Sequence, residues 1–419
     1  KYNWPEYIQC DTGKNNKPRV LSAARLVKGA MRLSGSVQTL DSDVLKNIKR
    51  SNISGDSLMQ LAVEAAEIDA DSRSEIILGL PGESLKSHFQ TIDTVIDARF
   101  NHVNTYQLMM LPGTEIDSPE TRQKFDMKTR FRILPRCFGY YDVLGKQMVA
   151  AEIEEVCVST NTLSFEDYIK CRKMHLLIHI YHNDGLFNTA LEFIKFLKLS
   201  PYGWLKLLFE EKMIGGVKEL FEKYQQDTRQ ELWLNRDELV QNIQNPGVVD
   251  SYISGDLGYN LLFVHKAIAM SRFVPDLKKF AKLTLEKLLS ENNLNSIKNL
   301  DFLNDALNYD ACSISNIFEN LEKTPTVDMK YDVQKLISEK NKKLEEFQFK
   351  KPTTISFIMN ESQRDILTRS LELYGSTDLG VSRILTKVFV KKILRTGSIP
   401  DKSQKSDIQI KNAADWPYC

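Results

Sequence analysis

Cys171, His175, His179 and His182 recur at intervals of four, four and three residues, which places one thiol and three imidazoles on a single face of a helix. Such a set has the chemistry of a zinc site. A straight helix, however, separates successive ligands by about a turn, so the whole set cannot close on one ion, and the expected arrangement is a polar seam against neighbouring elements. A second stretch, Ile76-Ile77-Leu78-Gly79-Leu80-Pro81-Gly82-Glu83-Ser84, reads as a buried strand ending in a Gly-x-Pro-Gly turn before a helix. Parallel α/β folds bind ligands at that carboxyl edge, and Gly79 and Gly82 lack the Cβ that would keep a ligand off the backbone. The same glycines equally suit a tight turn with no ligand, and the residues leave both options open. Gln38 stands at another strand end, where its amide can bond a polar ligand or a neighbouring loop. Tyr106 to Thr114 repeats the strand and Pro-Gly turn, with Leu108 a core residue first and a ligand wall second.

Other charged residues carry less. Glu152, Glu154 and Glu155 are expected on a helix surface, and Arg383, Lys387, Lys391, Lys392 and Arg395 on a last, solvated basic helix.

The elements that must position these residues follow from hydrophobic patterning. Strands are expected at Tyr7 to Cys10, Met31 to Gln38, Glu75 to Leu80 and Val103 to Leu111, each ending in Gly, Pro or a polar turn. Helices are expected near Pro18 to Gly29, Asp43 to Lys49, Asp56 to Ile68 and Leu85 to Phe100. Asp41 or Ser42, Ser54 or Asp56, and Ser84 can cap three of them, and Leu58, Leu61, Ala62, Ala65 and Ile68 form an apolar face. Strands alternating with helices imply right-handed βαβ units and a parallel sheet. Past Pro135 the strand signal fades, and Ala150 to about Glu345 reads as helix, with Gly247 to Asn260 a mobile loop. Thr354 to Ile358 then reads as one strand before two more helices.

With 42% hydrophobic and 26% charged residues, the chain has the make-up of a globular protein. Lys and Arg number 56 against 55 Asp and Glu, so no net field draws it to nucleic acid or anionic lipid. No apolar run approaches the roughly 18 residues of a membrane span, and no signal peptide is visible. The six cysteines are dispersed, as reduced thiols of the cytoplasm would be.

Val37-Gln38-Thr39-Leu40 followed by Val44-Leu45-Lys46 and Arg50, then Gly79-Leu80-Pro81-Gly82-Glu83-Ser84, then Leu108 to Thr114, resemble in that order the fourth, fifth and sixth strands of the radical S-adenosylmethionine (SAM) barrel. Thr39 stands where the family has Ser. The resemblance is nearest to the subgroup that carries an upstream cobalamin-binding domain, and it covers about residues 5 to 135. It implies an α/β fold with a partial parallel (β/α) TIM-like barrel over residues 1–140, to which the patterning further along adds a mainly helical domain over 141–345 and a small α/β or helical module over 346–419. By resemblance, Gln38 and Arg50 would lie near the SAM ribose and carboxylate, Gly79, Pro81, Gly82 and Glu83 beside the adenosine, and Leu108 against the adenine.

The family uses a 4Fe-4S cluster to cleave SAM to a deoxyadenosyl radical, so the resemblance further implies a small-molecule or metabolite substrate and a flavodoxin- or ferredoxin-like reductant. Methyl transfer or rearrangement assisted by cobalamin would be the outcome in the subgroup. The cluster needs a Cys-x-x-x-Cys-x-x-Cys loop after the first barrel strand, and no such spacing occurs in this sequence. Cys10 falls at about the third strand, so the loop is expected before Lys1, and the chain alone is expected to be inactive. Two other readings stand beside this one: a different TIM-like barrel holding a phosphorylated small molecule, and a non-catalytic scaffold with a degenerate barrel.

Overall fold

The computed structural model describes residues 8, 17–27, 30–31, 33–51, 60, 64, 72–245, 247–254, 257–339 and 342–399. The first elements are α1 (Lys17–Leu26), β1 (Leu33–Ser34), α2 (Ser42–Asn47), β2 (Ser72–Leu78), α3 (Leu85–Asp97) and β3 (His102–Gln107). The strands pair in parallel in the order β1-β2-β3, and parallel bridges from Ile8 to Met31 and from Gln38 to Ile76 extend the pattern. The expected βαβ order is therefore present. Asp41 caps α2 by accepting from the Asp43 and Val44 amides, and Ser84 caps α3 through a box with Ser87. The expected helix Asp56 to Ile68, with its apolar face and its caps Ser54 or Asp56, lies outside the described residues apart from Gln60 and Glu64, as does most of Tyr7 to Cys10.

One face of this sheet is buried. Leu33, Val37, Ile76 and Val103 belong to it and share a core with Ile92, Val95 and Ile96 of α3, while Leu78 packs into a separate cluster with Val156 and Tyr168. Parallel sheets usually hide both faces. Here the register sets Ser34 beside Arg73 and His102, and Glu75 beside Asn104, so the second face is polar and half-exposed. Ser36 Oγ donates to Glu75 Oε2 at 3.0 Å within it. A face of that character suits the wall of a lumen, although no closed barrel is present among the described residues.

Beyond β3 the strand signal does not fade. After α4 (Pro119–Lys124), β4 (Lys128–Val143) and β5 (Lys146–Ser159) form a long antiparallel hairpin, which overturns the helical expectation from Ala150. Pro135 does not end the strand, because it falls where the register shifts between Ile133 and Phe138, and a bulge tolerates a residue with no N–H. Leu144 and Gly145 turn the hairpin with φ of 50° and 79°. Glu154 and Glu155 thus lie on a strand, not a helix. Glu154 is buried against Arg132, and Glu155 takes both Arg122 Nη atoms at 2.8 and 2.9 Å.

The helical part begins with α5 (Phe165–Tyr181), whose residues are buried almost all round. It continues through α6 (Asn188–Phe196), α7 (Pro201–Glu210), α8 (Gly215–Gln230), α9 (Arg236–Ile243), α10 (Val248–Ser254), α11 (Leu261–Arg272), α12 (Val274–Glu291) and α13 (Ile297–Ile314). Part of the expected loop after Gly247 is therefore helix α10. The chain then forms β6 (Thr326–Tyr331), α14 (Val333–Ser338), β7 (Gln348–Ile358), α15 (Glu361–Tyr374), α16 (Asp378–Lys387) and β8 (Thr396–Ser398), with an antiparallel sheet in the order β6-β7-β8. Strand β6 is a second departure from the expected helix. Arg395 is also a correction: it is 2% exposed and donates to the carbonyls of Ser315 and Asn320 instead of solvating a surface.

Candidate functional site

The strand ends gather most of the residues singled out by sequence. Gln38 follows β1 with a φ of 61°, its amide N–H donates to Glu75 O at 2.8 Å, and its carbonyl accepts from the Ile77 amide at 2.9 Å. The side-chain Oε1 is buried without a hydrogen-bond partner. Gly79 and Gly82 follow β2 with φ of 91° and 88°, a region that disfavours a side chain. Both are also crowded by protein. A Cβ on Gly79 would stand 3.1 Å from Cys157 O, and one on Gly82 would stand 2.6 Å from Asn47 Nδ2, which itself donates to Pro81 O at 3.0 Å.

Glu83 is wholly buried and closes this turn on itself: Oε2 accepts the Gly79 amide at 2.7 Å, and the Glu83 amide donates to Leu80 O at 2.9 Å. Leu108 continues from β3 between β2 and β5, donating to Leu78 O and accepting from the Cys157 amide, each at 2.9 Å. Its side chain packs with Val44, Leu80, Met110, Phe125, Met127 and Cys157. Burial pushes the Cys157 thiol up to about 12. Gln38, Gly79, Pro81, Gly82, Glu83 and Leu108 thus share one edge of the sheet. Arg50 is exposed beyond α2, tied back by its amide to Leu45 O at 3.0 Å.

A chain of buried polar groups leads from this turn into the helical part. Glu83 Oε1 accepts from His88 Nδ1 at 3.0 Å, and His88 Nε2 lies 2.9 Å from His175 Nε2 on α5. His182, the cap of α5, donates from Nε2 to Phe100 O at 2.9 Å. Asn183 then bonds both the N–H and the C=O of Val103, at 3.0 and 2.9 Å, doing for β3 what a neighbouring strand would do. The histidines of α5 accordingly form a seam against α3 and β3. Burial holds His175 and His179 well below the ordinary imidazole range and His182 down to about 3, so all three are neutral near pH 7.

Sequence reading missed the cavity on the far side of this seam. It measures about 260 Å³ and lies between Asn104 to Gln107 of β3, Arg132 and Pro135 of β4, Arg172 and His179 of α5, Glu231, and Tyr259 to Phe263 at the start of α11. Arg172 stands three residues before His175 and seven before His179, a helical spacing that could have signalled its place on the same face.

A parallel sheet with a polar, half-open face and a strand-end turn of this kind is an architecture shared by many α/β enzymes, and the chain has relatives among radical SAM enzymes. It is 27% identical over 184 residues to the cobalamin-dependent radical SAM methyltransferase TokK of Streptomyces tokunonensis, and 28% identical over 184 residues to the 2-(S-pantetheinyl)-carbapenam-3-carboxylate methyltransferase of Streptantibioticus cattleyicolor. Each match takes in 43% of this chain and 26% of the relative. A heme chaperone, HemW of Buchnera aphidicola, is 28% identical over 148 residues, 34% of this chain and 38% of its own. The chain therefore spans about a quarter of the length of the two methyltransferases it matches. No family model matches it.

Proposed function

We propose that this chain is part of a radical SAM protein and holds SAM at the carboxyl ends of β1, β2 and β3. The observation that carries the reading is Gln38, which presents a buried, unpartnered acceptor at a strand end and so fits a donor such as a ribose hydroxyl. Arg50 would meet the SAM carboxylate, the turn from Gly79 through Pro81 and Gly82 to Glu83 would lie beside the adenosine, and Leu108 would back the adenine. The task of these residues is to bind and orient; SAM, when bound, supplies the activated methyl or adenosyl group. Relatives among radical SAM methyltransferases support the same reading.

The described residues do not fit an iron-sulfur cluster. Cys137 is exposed, Cys157 and Cys171 are buried and Cys312 is half-buried, and no group of three or more metal-ligating side chains occurs among the described residues. Radical generation would rest on thiolates outside them, and any assistance by cobalamin on a further domain. Substrate modification by the whole protein is part of this proposal. The phosphate-binding alternative is less favoured, because Glu83 occupies the Gly79 amide that would otherwise face a phosphate.

Equilibrium dialysis of the chain against radiolabelled SAM tests the reading. Binding is expected, and Gln38→Leu should weaken it about tenfold, the worth of one hydrogen bond of about 1.4 kcal/mol. Absence of binding, or equal binding by Gln38→Leu, would refute the assignment of this edge.

A further inference from the structure

The cavity between β3 and the start of α11 holds a charge with nothing in the protein to meet it. Arg172 is 2% exposed and lines the cavity, and its Nε and Nη1 have no hydrogen-bond partner. Its guanidinium rests 5.7 Å from the centroid of the Tyr224 ring, a contact that supplies no acceptor. Burying a guanidinium with these nitrogens unpartnered is strongly disfavoured. The other charges on the cavity wall are already matched: Arg132 donates to Glu231 at 2.9 Å and is paired behind the wall with Glu154. Two more lining residues, His179 and Thr105, carry a buried atom without a partner, Nδ1 and Oγ1 respectively. Buried polar groups normally find partners, and four unmatched atoms on one cavity wall, two of them on a single guanidinium, mark a place where a ligand bearing acceptors would be satisfied.

The remaining wall mixes the amides of Asn104, Gln107 and Asn260 with an apolar part that describes the body of that occupant. Met109, Pro135, Leu261, Leu262 and Phe263 are apolar, and Tyr259 adds an aromatic ring. We infer that the cavity binds a small molecule with an oxyanion head, a carboxylate or a phosphate, on an apolar body, with Arg172 as the group that recognises the head. The planar fork of a guanidinium suits both kinds of oxyanion. The inference goes beyond SAM binding at the strand ends and does not depend on it.

The probes are benzoate, phenyl phosphate and the neutral benzamide, titrated calorimetrically into the chain in the absence of SAM. Benzoate or phenyl phosphate should bind at least tenfold more tightly than benzamide, and whichever of the two binds more tightly identifies the head group. Arg172→Met should remove that preference, and Leu261→Trp, which fills the cavity, should remove binding of all three. The ligand-free Arg172→Met chain should melt at the same temperature as the parent or higher, since it loses a buried charge that has no partner. Benzamide binding as tightly as the anions, an anion preference that survives Arg172→Met, or a lower melting temperature for ligand-free Arg172→Met would each overturn the inference. A chain that binds benzoate but not SAM keeps this inference and loses the strand-end one.

Discussion

His182 shows how much a single buried side chain can set. Its Nε2 is committed to Phe100 O, and burial lowers its proton affinity from the ordinary 6.5 to about 3. In the unfolded chain the imidazole protonates near 6.5, so below that pH the unfolded state binds more protons than the folded one. Stability from this residue is therefore complete above about pH 6.5 and is lost as the pH falls toward 3, at up to about 1.4 kcal/mol per pH unit. His175 and His179, shifted in the same direction, add to the slope. Urea unfolding at pH 7, 6 and 5 should show the decline, and His182→Gln, which keeps the donor and cannot titrate, should reduce the slope by one proton. An unchanged slope in His182→Gln would mean that the residue is protonated in the fold. The i, i+4, i+8 spacing made the shared helical face legible in the sequence, but the partners His88, Phe100 and Val103 come from other elements, and no spacing within α5 encodes them. Arg172 was overlooked because an arginine on a helix is expected at the surface.

At the scale of elements, the βα units were legible because apolar residues mark each strand up to a Gly, Pro or polar turn, and Asp41 and Ser84 cap α2 and α3. The β4–β5 hairpin was not. Its outer half exposes Tyr140, Tyr141, Val143 and Met148, so the pattern there lacks a dry face, and Pro135 reads as a stop when it occupies a bulge. The hairpin matters to the strand-end turn, because β5 runs against it: Cys157 O is the atom that a Gly79 Cβ would crowd at 3.1 Å. Gly79→Ala is expected to destabilise the chain by about 1–2 kcal/mol from the left-handed backbone alone, with more from that contact. Chemical denaturation measures the cost. The sequence left open whether this glycine admits a ligand or makes a tight turn, and the neighbour that crowds it lies 78 residues further along the chain. A neutral Gly79→Ala would show that the turn relaxes away from β5.

At the scale of the molecule, the largest apolar core among the described residues runs from Leu33 and Ile76 of the parallel sheet, through Trp204 and Phe302 of the helices, to Ile355 and Ile393 near the last sheet. Polar ties cross the same ground: Asp310 of α13 accepts the amides of Thr189 and Ala190 at the start of α6, and Trp204 Nε1 donates to Thr284 on α12. A core shared in this way couples the parallel sheet, the helices and the last sheet, while smaller clusters around Leu108 and under the β4–β5 hairpin flank it. Unfolding in urea should be a single transition, with helix signal and tryptophan fluorescence coinciding. The sharper test places one cavity at each end of the core. Ile76→Ala in β2 and Ile355→Ala in β7 each remove a buried side chain, at about 2–5 kcal/mol apiece. If the core is continuous, either substitution shifts the whole transition for both signals. If Ile355→Ala instead splits off an early step that leaves the tryptophan fluorescence in place, the last sheet is an independent unit and the single-core description is wrong.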